Sequence, residues 1–266
     1  MDEVVPLTKN RHFVIDLLTR ATKFHCPVTT AWQFDVEDLN HARLAHRVNE
    51  RPLSMTACLI KATGMTLKAH PRLNHHLFTG LFRRYEVSFE TVCCTLIVMR
   101  RGPNGERILL PLLIDRVDEM SVIDIQKAID KHRYGKLEHL PQFAAAERIK
   151  SLPRLALSWF SFKARSDHRF YRRYFGTYGI SEMATGAFGP RGGHVVANTA
   201  SAFVIGPRFQ HAEMRNGALT SRLMQGITLV SDHYIIDGID IMLGMKTFEK
   251  LLSDPRRLGL EPAGGA

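Results

Sequence analysis

The chain has 266 residues, 45% of them apolar and 23% charged, a composition that gives room for a large core and excludes a disordered or fibrous polymer. Its 36 lysines and arginines against 26 acids give a net charge of +10, which favours an anionic partner: a phosphorylated small molecule or an acidic membrane face serves as well as a solvated positive surface, and no nucleic acid is expected. The four cysteines lack metal-ligand spacing, no apolar run reaches 18 residues, and the segment Met1 to Pro6 has no basic-then-apolar order, so a reduced, cytoplasmic chain without metal, spanning helix or leader is expected.

In chain order, residues 10–24 have helical spacing, with Phe13 or Val14 meeting Leu17 and Leu18 on one face that packs the start of the domain. Val28, Thr30, Trp32, Phe34 and Val36 alternate with polar or small residues and predict a half-buried strand. Asp38 is placed to cap a helix from Leu39 to about Asn49, and Ser54 a second from Met55 to Ala69 that ends at His70-Pro71. Val87 to Met99 reads as a strand, Arg101 to Gly105 as a turn and Arg107 to Ile114 as the returning strand.

Glu119 to about His132 predicts a helix lying on that sheet. Leu152 to Phe175 interleaves aromatics with arginines, the pattern of a core-packing helix with snorkelling cations, a substrate gate, or a membrane contact through Trp159, Phe160 and Phe162. Gly176 to Gly193 is glycine-dense without a strand-GxGxxG-helix plan, so a dinucleotide fold is not expected. Ser201 to Ile205 and Ser221 to Val230 predict strands, Asn216-Gly217 a hairpin turn between them, and Glu261 to Ala266 a loose end.

Ser231-Asp232-His233-Tyr234-Ile235-Ile236-Asp237-Gly238 follows an apolar run and opens into an amphipathic helix to Leu252. A histidine at the end of a buried strand, with an acid four residues on and a glycine before the helix, is an arrangement that aims an imidazole into a cleft. An imidazole there suits a general base, because it is the side chain that exchanges protons near neutrality.

This motif, with its helix ending Phe248 to Pro255, resembles the C-terminal active-site motif of the dihydrolipoyl acyltransferase catalytic domains of 2-oxo acid dehydrogenase complexes, and more distantly that of chloramphenicol acetyltransferase. His70-Pro71-Arg72-Leu73-Asn74 and Ile108 to Arg116 resemble two further family segments in the same order, so the resemblance spans residues 25–256. It implies an α/β two-layer sandwich with a mixed sheet covered by helices. It places one catalytic domain over residues 1–258 and a flexible tail over residues 259–266.

The resemblance also implies a coenzyme A-dependent acyltransferase. His233 is the base, Ser181 in Tyr178 to Met183 the oxyanion donor, and Asp237 a residue that fixes the turn. Ser181 precedes His233 by 52 residues, which fits the family; Thr177 or Thr185 takes the role if the register slips, and Glu182 stands where the family has asparagine. A hydroxyl donating to the tetrahedral intermediate is worth roughly 3 kcal/mol in comparable sites. The family is trimeric, with histidine and serine from adjacent chains, so a homotrimer is expected here, with room for a higher assembly. No lipoyl attachment is expected in this chain, so the acceptor stays open among thiol, hydroxyl and amine. Glu182 and the long segment 152–175 motivate a second reading, a non-catalytic trimeric scaffold.

Overall fold

The computed structural model describes residues 15, 18, 19, 22–103, 105, 107–183, 188–215 and 217–261. Strand β1 (Pro27–Asp35) alternates as its pattern predicts, Val28, Thr30, Trp32 and Phe34 being turned from solvent. Helix α1 (Glu37–Ala45) starts ahead of the expected position: Asp35 Oδ1 accepts the Glu37 amide at 3.0 Å, and Asp38 lies inside the first turn instead of capping it. The chain leaves that helix at Ala45 for the short pair β2 (Arg47–Val48) and β3 (Arg51–Pro52). Helix α2 (Met55–Ala69) is capped as expected, Ser54 Oγ accepting the Ala57 amide at 3.1 Å.

The apolar run Val87 to Met99 is not one strand. A hairpin of β4 (His75–Thr79) and β5 (Arg84–Ser88) ends before Phe89, and the chain re-enters the main sheet as β6 (Cys94–Arg101), antiparallel to β7 (Arg107–Ile114). Helix α3 (Val122–Tyr134) begins at Ser121, whose hydroxyl accepts the Asp124 amide. Three helices fill the connection that follows: α4 (Pro141–Lys150), α5 (Arg154–Ser166) and α6 (His168–Phe175). The single aromatic helix expected there is broken at Asp167, whose carboxylate turns away to cap α6 through the amides of Arg169 and Phe170.

Strand β8 (Tyr178–Glu182) runs parallel to both β6 and β9 (Ser201–Arg215), and β9 is antiparallel to β10 (Ala218–Asp232), which pairs with β1. The six-stranded order is β1-β10-β9-β8-β6-β7, a mixed sheet. Helices α2, α3 and α7 (Gly238–Leu252) bury one face of it in a core that includes Leu59, Ile125, Phe248, Tyr178, Phe203 and Leu229. This is the expected two-layer α/β sandwich. Strands β9 and β10 outrun their neighbours: β8 ends opposite Ile205 and β1 opposite Met224, so the rest of the pair stands out as a two-stranded ribbon turning at Gly217, which has φ +79°.

At the ends of the chain the expectations meet the structure unevenly. Phe13, Val14 and Leu17 lie outside the described residues, and Ile15 and Leu18 are exposed instead of packing the start of the domain. The expected tail from residue 259 is shorter, because Leu258 and Leu260 are both buried in the core; residues 262–266 lie outside the described ones.

Candidate active site

β10 ends at Asp232, and the chain turns sharply, the amides of Ile235 and Ile236 both donating to the Asp232 carbonyl, before α7 begins. His233 sits at the head of this turn, exposed in the single chain, with its amide donating to the Cys26 carbonyl at 2.8 Å. Its ring Nδ1 lies 2.8 Å from the Ile236 carbonyl oxygen. A carbonyl only accepts, so this contact assigns the proton to Nδ1 and leaves Nε2 with its lone pair outward. An imidazole held in that form, on a rigid turn and open to solvent, is built to take a proton.

The buried carboxylate of the turn belongs to Asp232. Its Oδ2 receives His25 Nδ1 at 2.7 Å, and its Oδ1 receives the amides of Cys26 at 3.0 Å and Tyr234 at 3.2 Å. Burial alone raises the pKa of this carboxyl, but the hydrogen bond from His25, the Cys26 amide, the charge of His25 and the Tyr234 amide together hold it below its usual range. A cavity of about 100 Å³ lies beside the pair, lined among others by His25, Asp232, Val195, Thr199 and Val230. No motif in the sequence marks His25. Its partner is 207 residues away, and no local pattern announces the pairing.

Asp237 is the N-cap of α7 in a capping box with Asp240, whose carboxylate accepts the Asp237 amide at 3.2 Å. It stands between the turn and the helix; the described ion pairs join it to no cation. Ser181 lies on β8, not in a glycine loop, and that strand was not legible in the sequence. Tyr178 and Ile180 point into the helix-covered core, so Ser181 points to the opposite face, beside Val204 in the register.

The structure does not bring Ser181 and His233 together within one chain. Ser181 registers with Val204, and Val204 with Thr228, so His233 lies two strands across and five residues along; at strand spacings that is roughly 15–20 Å. Glu182 turns to the helix side, where Thr56 Oγ1 donates to Oε1 at 3.2 Å and Arg133 stands 3.5 Å from Oε2. Thr177 is fully buried against the backbone of Cys93, and Thr185 lies outside the described residues.

Segment 152–175 is a buttress in the main. Phe160 and Tyr171 are buried, Arg172 pairs with Asp115 at 2.6 Å, and the Tyr171 hydroxyl donates to the Asn198 carbonyl at 2.7 Å, although Leu155 and Trp159 stay exposed. Cys58, Cys93 and Cys94 are buried, whereas Cys26 is exposed beside the His233 turn. No group of three or more potential metal ligands occurs among the described residues.

A family model described as 2-oxoacid dehydrogenases acyltransferase (catalytic domain) matches residues 1–139, a stretch that ends ahead of Ser181 and His233. No curated protein matches the chain. Among solved structures, the chain is similar to a probable dihydrolipoamide acetyltransferase from Listeria monocytogenes 4b F2365, with TM-score 0.67, 16% identity, and 95% of this chain and 94% of that one covered. It is also similar to Azotobacter vinelandii dihydrolipoamide acetyltransferase, in a study of the role of a serine, a histidine and an asparagine in its catalytic mechanism, with TM-score 0.66, 21% identity and coverage of 98% and 95%. Chloramphenicol acetyltransferase follows with TM-score 0.50, 13% identity and coverage of 95% and 100%.

Proposed function

This chain belongs to the 2-oxoacid dehydrogenase acyltransferase catalytic-domain family, and from that premise we propose that it transfers an acyl group between the thiol of coenzyme A and a second thiol, hydroxyl or amine, with His233 as general base. The observation that carries the reading is the His233 Nδ1 contact to the Ile236 carbonyl, which leaves Nε2 as the free acceptor on an exposed turn. His233 Nε2 takes the proton of the acceptor nucleophile, which attacks the thioester carbonyl. The tetrahedral oxyanion receives a hydrogen bond from Ser181, and on collapse the coenzyme A sulfur leaves and takes the proton from the imidazolium.

Two further observations support it. The serine and asparagine named for the Azotobacter protein stand 52 residues before and four residues after its histidine, the intervals that separate Ser181 and Asp237 from His233. Both residues of the pair also lie in exposed apolar surroundings. Ile97 and Met99 on the neighbouring β6, Leu109 on β7 beyond it and Met183 after β8 are exposed on the Ser181 side; Tyr234 next to His233 and Ile239, Met242 and Leu243 on α7 are exposed near the turn. Two different apolar surfaces on one chain suit a head-to-tail contact, which closes into a ring when the rotation between copies allows it; a homotrimer of this kind, with His233 of one copy facing Ser181 of the next, would complete the site.

Of the two motives for the scaffold reading, the one from Glu182 weakens, because its carboxylate is engaged by Thr56 and Arg133 on the side of the sheet away from Ser181. The test is acyl transfer from a panel of acyl-coenzyme A donors to dihydrolipoamide and to small thiols, alcohols and amines. His233→Ala is expected to lower kcat about 10²- to 10⁴-fold and Ser181→Ala about 10²- to 10³-fold. Equal rates in wild type and His233→Ala sink the assignment.

A further inference from the structure

We propose that His25 is a positioning residue for His233, acting through the carboxylate of Asp232, and that helices α5 and α6 hold it in place. The inference rests on the reading of His233 as the base. The two residues at the threshold of β1 clamp the turn at both ends: the Cys26 carbonyl receives the His233 amide at 2.8 Å, while His25 Nδ1 and the Cys26 amide grip the Asp232 carboxylate at 2.7 and 3.0 Å. Asp232 in turn receives the Tyr234 amide at 3.2 Å, so one carboxylate ties the residues on either side of His233 to the segment before β1.

Asp232 is 3% exposed. Without a donor at the His25 position, a buried carboxylate oxygen loses its strongest hydrogen bond, and the cheapest repair is for the turn to move. A shift there changes where His233 aims Nε2, and a displacement of about 1 Å in a reacting group costs on the order of a hundredfold in rate.

His25 is itself fixed from the side of the inserted helices. Its ring lies 5.5 Å from that of His76, which is stacked on Tyr171 of α6 at 4.3 Å, and Tyr171 is anchored by its hydroxyl to the Asn198 carbonyl at 2.7 Å. The residue before it, Phe24, lies under the guanidinium of Arg165 from α5, 4.3 Å from the ring centre. A chain of contacts therefore runs from the segment between β7 and β8 to the base: Tyr171, His76, His25, Asp232, His233.

Replacement of His25 by alanine, asparagine and glutamine tests this. The amide nitrogen of asparagine takes the place of Nδ1, whereas that of glutamine falls near Nε2, so only asparagine restores the donor to Asp232. The expected result is a kcat about a hundredfold lower in His25→Ala with KM little changed, near-wild-type kcat in His25→Asn, and a low value in His25→Gln. Circular dichroism establishes that each variant is folded; if His25→Ala is not, the comparison of asparagine with glutamine carries the test alone. Equal rates for asparagine and glutamine, or a loss confined to KM, overturn the proposal.

Nitrogen-15 spectra of the His233 ring separate this claim from the one beneath it. The Nδ1-protonated form is expected in wild type and His25→Asn and a tautomer mixture in His25→Ala, whatever the activity. If His233→Ala transfers acyl groups as fast as wild type, the base assignment falls while the spectra still decide whether His25 orders the ring. An unchanged ring signature in His25→Ala overturns the positioning role.

Discussion

His76 shows what a single residue contributes that no local pattern announces. It lies in β4 with Nδ1 buried and unpartnered, and burial, reinforced by the charge of His25 and opposed by Asp232, lowers its pKa to about 3. The folded protein therefore holds a neutral imidazole where the unfolded chain takes a proton at about pH 6.5. Between those values the unfolded state binds more protons, so stability falls as the pH drops below about 6.5, with a limiting slope of about 1.4 kcal/mol per pH unit from this group. His76→Phe keeps a ring between His25 and Tyr171 and removes the titration; urea midpoints measured from pH 7 to pH 4 should fall less steeply in the variant, and parallel curves would refute it. The sequence offered His233, Ser181 and Asp237 because a motif spells them, whereas His25 and His76 acquire their roles only when β1, β4 and β10 are folded together.

Among the elements, those with local signals were legible. Ser54 starts α2, alternation marks β1, and the turn before Arg107 joins β6 to β7. What escaped has a physical reason. Val92 and Cys93 are apolar because they are buried in a connection, so the run from Val87 to Met99 masqueraded as one strand; β8 hides among glycines because its outer face is kept small. Gly176 joins α6 to β8 with φ +67°, and a Cβ there would meet Thr95 Oγ1 at 2.6 Å and the Cys93 carbonyl oxygen at 2.7 Å. The first is strained for any side chain, and the second is a collision with backbone. Gly176→Ala is therefore expected to destabilise the fold by about 2–4 kcal/mol, read as a lower Tm by calorimetry; a change below about 1 kcal/mol would contradict this account.

For the whole molecule, the separation of Ser181 from His233 is the fact that shapes everything else. On the proposed function, a site whose two halves lie on different surfaces of one chain works only between copies, and that gives a quantitative expectation. His233→Ala and Ser181→Ala proteins, each inactive alone, should recover about a quarter of wild-type activity after mixing and reassembly, since a random pairing joins an intact histidine to an intact serine at one site in four. No recovery, with mixed oligomers demonstrated by mass spectrometry, would place both residues' work within one chain. The β9–β10 ribbon has a consequence of another kind. Arg208 and Arg222 still tie its base to Asn40 and Asp35; past them the two strands pair with each other, and the turn at Gly217 carries exposed Met214 and Leu219 alongside. Two strands alone are barely stable in water, so this is where the chain opens most cheaply: the polypeptide can be cut or a reporter domain spliced in at the tip while the ladders that seat Ser181 and His233 stay closed.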